Sequence, residues 1–476
     1  MNPARLVYPG FWFGKTKIED AQKWAEMGVG GFCLYGGTPK EIEDLSKDLK
    51  DRTPYSNILI AADYEDGLGR WVTGTELLPS NMAIGAAGEE DLAMKKGLIT
   101  ARQARSIGVD WVFAPVVDLA CTPSNPIVNT RSFGCSPELV TKLSIAYMAG
   151  LSQGGVLNSL KHFPGHGSTS TDSHLAMPLI SKSFDEIYDF DLLPYRNLMR
   201  FSDSIMVGHL LIPSIDDKEP SSLSQKTIKG LLRQRLNYKG CILTDALVMK
   251  AIGDQKTAIM KALEATVDIL LAPEDPYQAI EILNSLPQDG KWKDQIINSI
   301  ATQEMMIAKN VKAEVRTPEH SLFKSTYSME AAPKCLTAIG GKKPFTAGQS
   351  VYYMAVDCKD FEDTPFAKQL TANGAKLQEY TGGNVDTLLI ASYSGYASFK
   401  GYVNFTKEQT KDILAALEFA KDSVMVSFGS PFIHGEFIKK IPFHLLAYCA
   451  NEDFQTVAAD VLFDKAKAGG KLPVKF

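Results

Sequence analysis

The sequence predicts an α/β protein in which a (β/α)8 TIM-type barrel is followed by a smaller three-layer α/β domain. From the start to residue 312, short apolar runs alternate with amphipathic stretches, as parallel strands alternate with the helices that join them. Residues 313–334 include Pro318 and several Ser, Lys and Glu and read as a linker, after which the alternation resumes over 335–476 on a smaller scale. No GxGxxG follows the first apolar run, which disfavours an open dinucleotide-binding sheet, whereas a barrel of this kind usually takes about 250 residues plus insertions.

The strand-like runs of the first domain are 6–13, 30–35, 58–62, 110–115, 156–160, 204–207, 240–243 and 268–272. Segments 89–107, 136–153 and 224–237 carry apolar residues at helical spacing with charges between them, the mark of a helix buried on one face. Thr16-Lys17-Ile18-Glu19 and Ser183-Phe184-Asp185-Glu186 have the form of capping boxes, in which a hydroxyl and a carboxylate satisfy two amide donors of a helix's first turn. In the second domain the runs 351–356, 387–391, 423–428 and 444–448 alternate with helical patterns at 364–373, 406–420 and 453–465. Tyr393, Tyr396, Phe399, Tyr402 and Phe405 follow one of these runs and read as packing under a long loop rather than stacking on a sugar.

Composition narrows the function. A net charge of −5 and a pI near 5.9 leave no basic footprint for nucleic acid. No stretch is apolar enough to span a bilayer, and Met1-Asn2-Pro3-Ala4-Arg5 lacks the apolar core of a secretion signal. Seven cysteines, at 33, 121, 135, 241, 335, 358 and 449, show no CxxC spacing and read as reduced thiols. A cytoplasmic location is therefore expected, or a periplasmic or secreted one if a leader has been removed. Nothing in the sequence sets the oligomeric state.

The chemistry concentrates in residues 156–178, where an apolar run opens into a loop holding Lys161, His162, His166, Asp172 and His174 around Pro164, Gly165 and Gly167. Asp63, the Lys161-His162 pair, His209 and Asp245 each stand just past a predicted strand. In a parallel barrel such positions converge on one rim. Asp172 and His174 are close enough for a carboxylate to fix one imidazole nitrogen while the other moves a proton. With Asp245 as nucleophile, that pair would supply the two functions a retaining glycosidase needs. His162, His166, Asp172 and His174 also offer ligands for a catalytic zinc, although on one irregular loop and with no familiar zinc spacing. His166 alone reads as a brace for the loop.

Lys161-His162-Phe163-Pro164-Gly165-His166-Gly167-Ser168-Thr169, followed by Asp172-Ser173-His174, closely resembles the signature of family 3 glycoside hydrolases. The similarity is to their β-N-acetylglucosaminidase branch, bacterial enzymes of peptidoglycan recycling. Asp63-Tyr64-Glu65-Asp66-Gly67, the stretch Phe113 to Asp118, Arg131-Ser132-Phe133-Gly134, Met206-Val207-Gly208-His209, Leu243-Thr244-Asp245-Ala246-Leu247 and Ser427-Phe428-Gly429-Ser430-Pro431 fit the same family in order. The resemblance implies a retaining exo-β-N-acetylglucosaminidase without a cofactor or metal. Asp245 would be its nucleophile, His174 its general acid/base and Asp172 the residue that orients His174. Asp63, Arg131, Lys161 and His162 match positions that hold sugar hydroxyls, and Arg70 and His209 are counted with them. The implied partner is an N-acetylglucosamine-containing glycan or muropeptide.

Two departures stand out. Asp66 occupies a place where the family commonly has glycine, and Arg70 comes one position before the family's arginine. Ser168 stands where many relatives have aspartate. A histidine in place of a second carboxylic acid repels anions less, which leaves open a β-N-acetylglucosaminide phosphorylase. A zinc-dependent hydrolase and a non-catalytic sugar-binding relative are further alternatives.

Overall fold

The structure, a computed structural model, describes residues 2–171, 177–249, 252–287, 289–311, 323–341, 345–395 and 402–476. The first domain carries β1 (Val7–Tyr8), β2 (Gly10–Trp12), β3 (Gly31–Tyr35), β4 (Leu59–Ala62), β5 (Trp111–Val112), β6 (Ser159–Phe163), β7 (Ser204–Val207), β8 (Cys241–Thr244) and β9 (Leu270–Leu271). Each overlaps or adjoins a predicted run. Pro9, which has no amide hydrogen to give a neighbour, separates β1 from β2.

Every pairing among these strands is parallel: β1 with β9, β2 through β5 in sequence, and β6 through β8 in sequence. Single parallel bridges, Trp111 to Leu157 and Leu243 to Ile269, join these sheets. Residues two apart on five strands (Cys33 and Tyr35, Leu59 and Ala61, Trp111 and Phe113, Cys241 and Leu243, Ile269 and Leu271) share one buried cluster. The residues between them, Leu34, Ile60, Val112, Ile242 and Leu270, join the larger core packed against the helices. This is the two-residue alternation of strands buried on both faces.

Several local expectations are corrected. Lys161 and His162 lie within β6 rather than in a loop after it, and the pairing register with β7 shifts between Leu160 and Phe163. Such an irregularity re-aims side chains that strict alternation would send to opposite faces. Thr16 does not cap a helix: its hydroxyl accepts from the Trp12 amide, and the helix Ile18–Met27 starts without a side-chain cap. The box at Ser183 forms, as does an unexpected one at Thr38 and Glu41. The helical pattern at 224–237 is realised as a π-helix, Lys226–Arg235. Part of the predicted linker is the helix Tyr327–Cys335, whose Tyr327, Ala331, Ala332 and Cys335 are buried. Cys121 and Cys135 form a disulfide, so these two are not the reduced thiols expected.

The second domain holds β10 (Thr337–Ile339), β11 (Ser350–Val356), β12 (Lys376–Glu379), β13 (Val385–Ser392), β14 (Ala420–Ser427) and β15 (Phe443–Leu446). They form one sheet in the order β10-β15-β14-β13-β11-β12, parallel except for β10 against β15. The short, exposed edge strand β12 and the three-residue β10 carried too little apolar pattern to be read from sequence. Leu389, Ala391, Val424 and Val426 face the core containing helices Pro365–Ala372 and Glu452–Leu462. Leu388, Ile390 and Met425 face the helix Lys407–Leu417 through Ile413 and Ala416. Helices thus cover both faces of the sheet. Tyr393 stacks beside Phe428 and Phe405 beside Phe437, so these two aromatics pack as expected. Tyr396 and Phe399 lie outside the described residues. Among the described residues no helix is long and apolar enough to cross a membrane.

Beneath this sheet His434 and His444 are fully enclosed, with their Nδ1 atoms 2.8 Å apart and His434 Nε2 2.8 Å from Ser427 Oγ. Burial, reinforced by His444, pushes the His434 imidazole well below its ordinary range, and burial lowers His444 to about 4. The folded state therefore holds both neutral, while the unfolded chain protonates them below about 6.5. Their contribution to stability is lost as pH falls from about 6.5 towards 4. Thermal unfolding measured from pH 7 to 4.5 should show a falling Tm that becomes shallower in a His444→Gln variant. An unchanged slope would exclude this pair as a source of the acid sensitivity.

Candidate active site

The site grows from the ends of β4 and β6. Lys161 on β6 is almost wholly buried, and its Nζ lies 2.7 Å from Asp63 Oδ1 and 2.6 Å from Glu65 Oε1. Arg131, from the loop 121–135, closes a two-pronged contact on Glu65: Nε to Oε2 at 2.8 Å and Nη2 to Oε1 at 2.7 Å. Burial works to raise the Glu65 carboxyl, yet Arg131 and Lys161 outweigh it and hold Glu65 well below the usual carboxylate range. Burial likewise works against the Lys161 ammonium, but Asp63 and Glu65 keep its pKa raised. Two cations and two anions thus balance, which is what allows so much charge out of water. Asp63 is the more open carboxylate, with its side chain 23% exposed.

A second layer sits behind. His162 Nδ1 lies 2.8 Å from Asp118 Oδ2 and its Nε2 is 3.4 Å from Arg131 Nη2. Asp118 also accepts from the backbone amides of His162 and His166. Although burial raises Asp118, these neighbours keep its carboxyl lowered. The pair fixes the His162 ring, since a carboxylate on Nδ1 selects the proton's position. His166 is buried with Nδ1 3.0 Å from Thr169 Oγ1, and its carbonyl accepts from Asn125. Burial and His162 hold its imidazole at about 4. It braces the loop as expected. Among the described residues no three His, Cys, Asp or Glu side chains are grouped to hold a metal ion.

Asp245 follows β8, half-buried, with Oδ1 2.8 Å from the Ala246 amide. The charges of Asp63 and Asp245 both act on the enclosed Tyr35 phenol, and Asp245 also acts on His166. β8 runs parallel to β6 through β7, so Asp245, just past the end of β8, lies on the same side of the strands as the end of β6. The His209 ring is fully buried, with Nδ1 2.6 Å from Ser222 Oγ and Nε2 3.1 Å from the Ala246 carbonyl. It supports the backbone beside Asp245. Arg70 turns to Asp66, with Nη2 2.5 Å from Oδ2, and Asp66 also lies 3.2 Å from the enclosed Lys96. Asp66 is not among the residues with positive φ; Gly67 carries that conformation, at +70°, so the substitution leaves the turn intact. Asp172 and His174 lie outside the described residues.

Glu65 and Asp118 were not singled out from the sequence. Both fall in stretches that fit the family resemblance, but their residue types and positions, two past Asp63 and three past Pro115, gave neither a role of its own. A carboxylate in a loop after a strand looks the same whether it binds an arginine, caps a helix or meets water.

Residues 4–304 match the glycosyl hydrolase family 3 N terminal domain. The chain is 32% identical to a beta-hexosaminidase of Neisseria meningitidis serogroup B over 62% of this chain and 87% of that one. It is 30% identical to beta-hexosaminidase A of Pseudoalteromonas piscicida over 59% of this chain, spanning half of that longer protein's length. A glycoside hydrolase family 3 beta-N-acetylglucosaminidase from Paenibacillus sp. superimposes with a TM-score of 0.87 at 25% identity, covering 99% of this chain and 98% of that one. The family match and these relatives define the class, a glycoside hydrolase. The chain belongs to glycosyl hydrolase family 3.

Removing Glu65 would strand Arg131 and Lys161 beside one another. Glu65→Ala should cost about 3–5 kcal/mol in denaturant unfolding, whereas Arg70→Ala, at the surface end of its pair, should cost about 1 kcal/mol or less. Equal losses would contradict the central place given to Glu65.

Proposed function

We propose that the chain is a retaining exo-β-N-acetylglucosaminidase that releases N-acetylglucosamine from cell-wall fragments or related N-acetylglucosaminides. The observation that supports this reading is the cluster of Asp63, Arg131, Lys161 and His162 at the ends of β4 and β6, with Asp245 just past the end of the parallel strand β8. Asp245 attacks the anomeric carbon while His174, oriented by Asp172, protonates the departing oxygen. His174 then takes a proton from water, which releases the sugar from Asp245. Asp63, Lys161, Arg131 and His162 hold the sugar hydroxyls through charge-assisted hydrogen bonds. The acetamido preference is supported by relatives named as hexosaminidases.

The parallel sheets are read as one closed (β/α)8 barrel. Support comes from the two single bridges and from the enclosed cluster to which alternate residues of five strands contribute. The catalytic domain is taken as 1–312 and the second as 335–476, with 313–334 between them. Disulfides persist in oxidising compartments, so Cys121–Cys135 favours a periplasmic or secreted location over the cytoplasm.

Asp245→Asn should lower kcat on an aryl N-acetylglucosaminide by about 10³-fold or more. His174→Ala should cost about 10²–10⁴-fold on substrates with poor leaving groups and far less on nitrophenyl glycosides, which need little protonation. Equal losses on both substrates would remove His174 from the acid role. In the same assays, insensitivity to EDTA separates this reading from a zinc hydrolase, and a glycosyl phosphate formed at millimolar phosphate would identify a phosphorylase.

A further inference from the structure

The C-terminal edge of the second sheet faces the loop that carries Arg131. The loops after β11, β13 and β14 are chained there: Ser394 Oγ donates to Asp357 Oδ2 at 2.7 Å, and the Ser430 amide donates to the Ser394 carbonyl at 3.0 Å. Ser430 Oγ accepts the Phe432 amide at 3.3 Å, which fixes the hydroxyl at the start of the turn Pro431–His434. The same oxygen accepts Asn129 Nδ2 at 3.0 Å, with both residues fully buried.

Asn129 opens the three-residue turn Asn129–Arg131 at a φ of +36°, a conformation costly for a side-chain-bearing residue. Its Oδ1 is buried without a hydrogen-bond partner, so among the described residues the carboxamide is secured at this one point. Two residues on, Arg131 grips Glu65. The end of the loop is held separately. The Cys121–Cys135 disulfide closes it, and the Cys135 amide donates to the Pro473 carbonyl at 3.0 Å. Gly134 passes so near Pro473 that a Cβ would sit 2.7 Å from that carbonyl oxygen.

We propose that Ser430 is a positioning residue for the sugar-binding arm. Through Asn129 it sets the turn that aims the Arg131 guanidinium, so the second domain governs a subsite whose contact groups all belong to the first. This rests on the reading of Arg131 as a sugar ligand.

Ser430→Ala, Ser430→Thr and Asn129→Gly test it in the full chain. Glycine adopts the positive φ freely, so Asn129→Gly removes the hydrogen bond without straining the turn. Ser430→Ala and Asn129→Gly should each raise KM for an aryl N-acetylglucosaminide about tenfold with kcat changed less than about threefold, a misplaced binding group rather than lost chemistry. Ser430→Thr, which keeps the hydroxyl, should restore KM. Hydrogen exchange of a peptide spanning 121–135 should quicken severalfold in Ser430→Ala. Unchanged KM and exchange in both variants overturn the proposal. So does a fall in kcat that tracks lost thermal stability and that threonine does not rescue. If the unaltered protein cleaves no N-acetylglucosaminide, the functional reading fails, and the exchange comparison still decides whether Ser430 holds the turn.

Discussion

A lysine buried in the middle of a strand constrains everything around it. Lys161 is almost wholly buried, so an ammonium that stays charged there must find anions inside the protein. Asp63 and Glu65 supply them from the end of β4. Two carboxylates around one ammonium would leave an excess of negative charge, and Arg131 restores the balance from a loop distant in sequence. Strand, neighbouring strand end and loop are therefore located by a single electrostatic condition. The hydrophobic core brings these segments near one another, and the ionic cluster fixes their register at the mouth.

Binding groups work best when they are already in place, because no binding energy is then spent on ordering them. The second layer serves that end. Asp118 holds His162 from behind, His166 and Thr169 tie the next turn, and His209 steadies the backbone beside Asp245. The same logic separates two kinds of histidine here. His166 and His209 are spent on internal hydrogen bonds, while His162 bridges Asp118 and the Arg131 guanidinium.

The alternation of runs and amphipathic stretches was legible because burial imposes a period on each element, and the strands of the first domain fall on or beside the predicted runs. Boundaries were less so. β6 continues through Lys161 and His162, which look like loop residues until the carboxylates that neutralise them are known. The meeting of Asp63 and Lys161 could be read from parallel strand ends. The burial of His209 could not, since nothing local announces that Ser222 and the Ala246 carbonyl will enclose its ring. Cys121 and Cys135 are brought together by the fold of an irregular loop, and their spacing carries no recognisable motif. β10 and β12 were missed for want of apolar residues, their stability coming from neighbouring strands.

Asp66 and Lys96 lie deep behind this mouth, with Asn81 as the lysine's other partner at 2.6 Å. The two residues are consequently coupled in the energetics of the fold. Without the aspartate a buried ammonium would be left facing the Asn81 side-chain oxygen, and without the lysine the enclosed carboxylate would be left to the half-exposed Arg70. Each charge makes the burial of the other tolerable, thirty residues away along the chain.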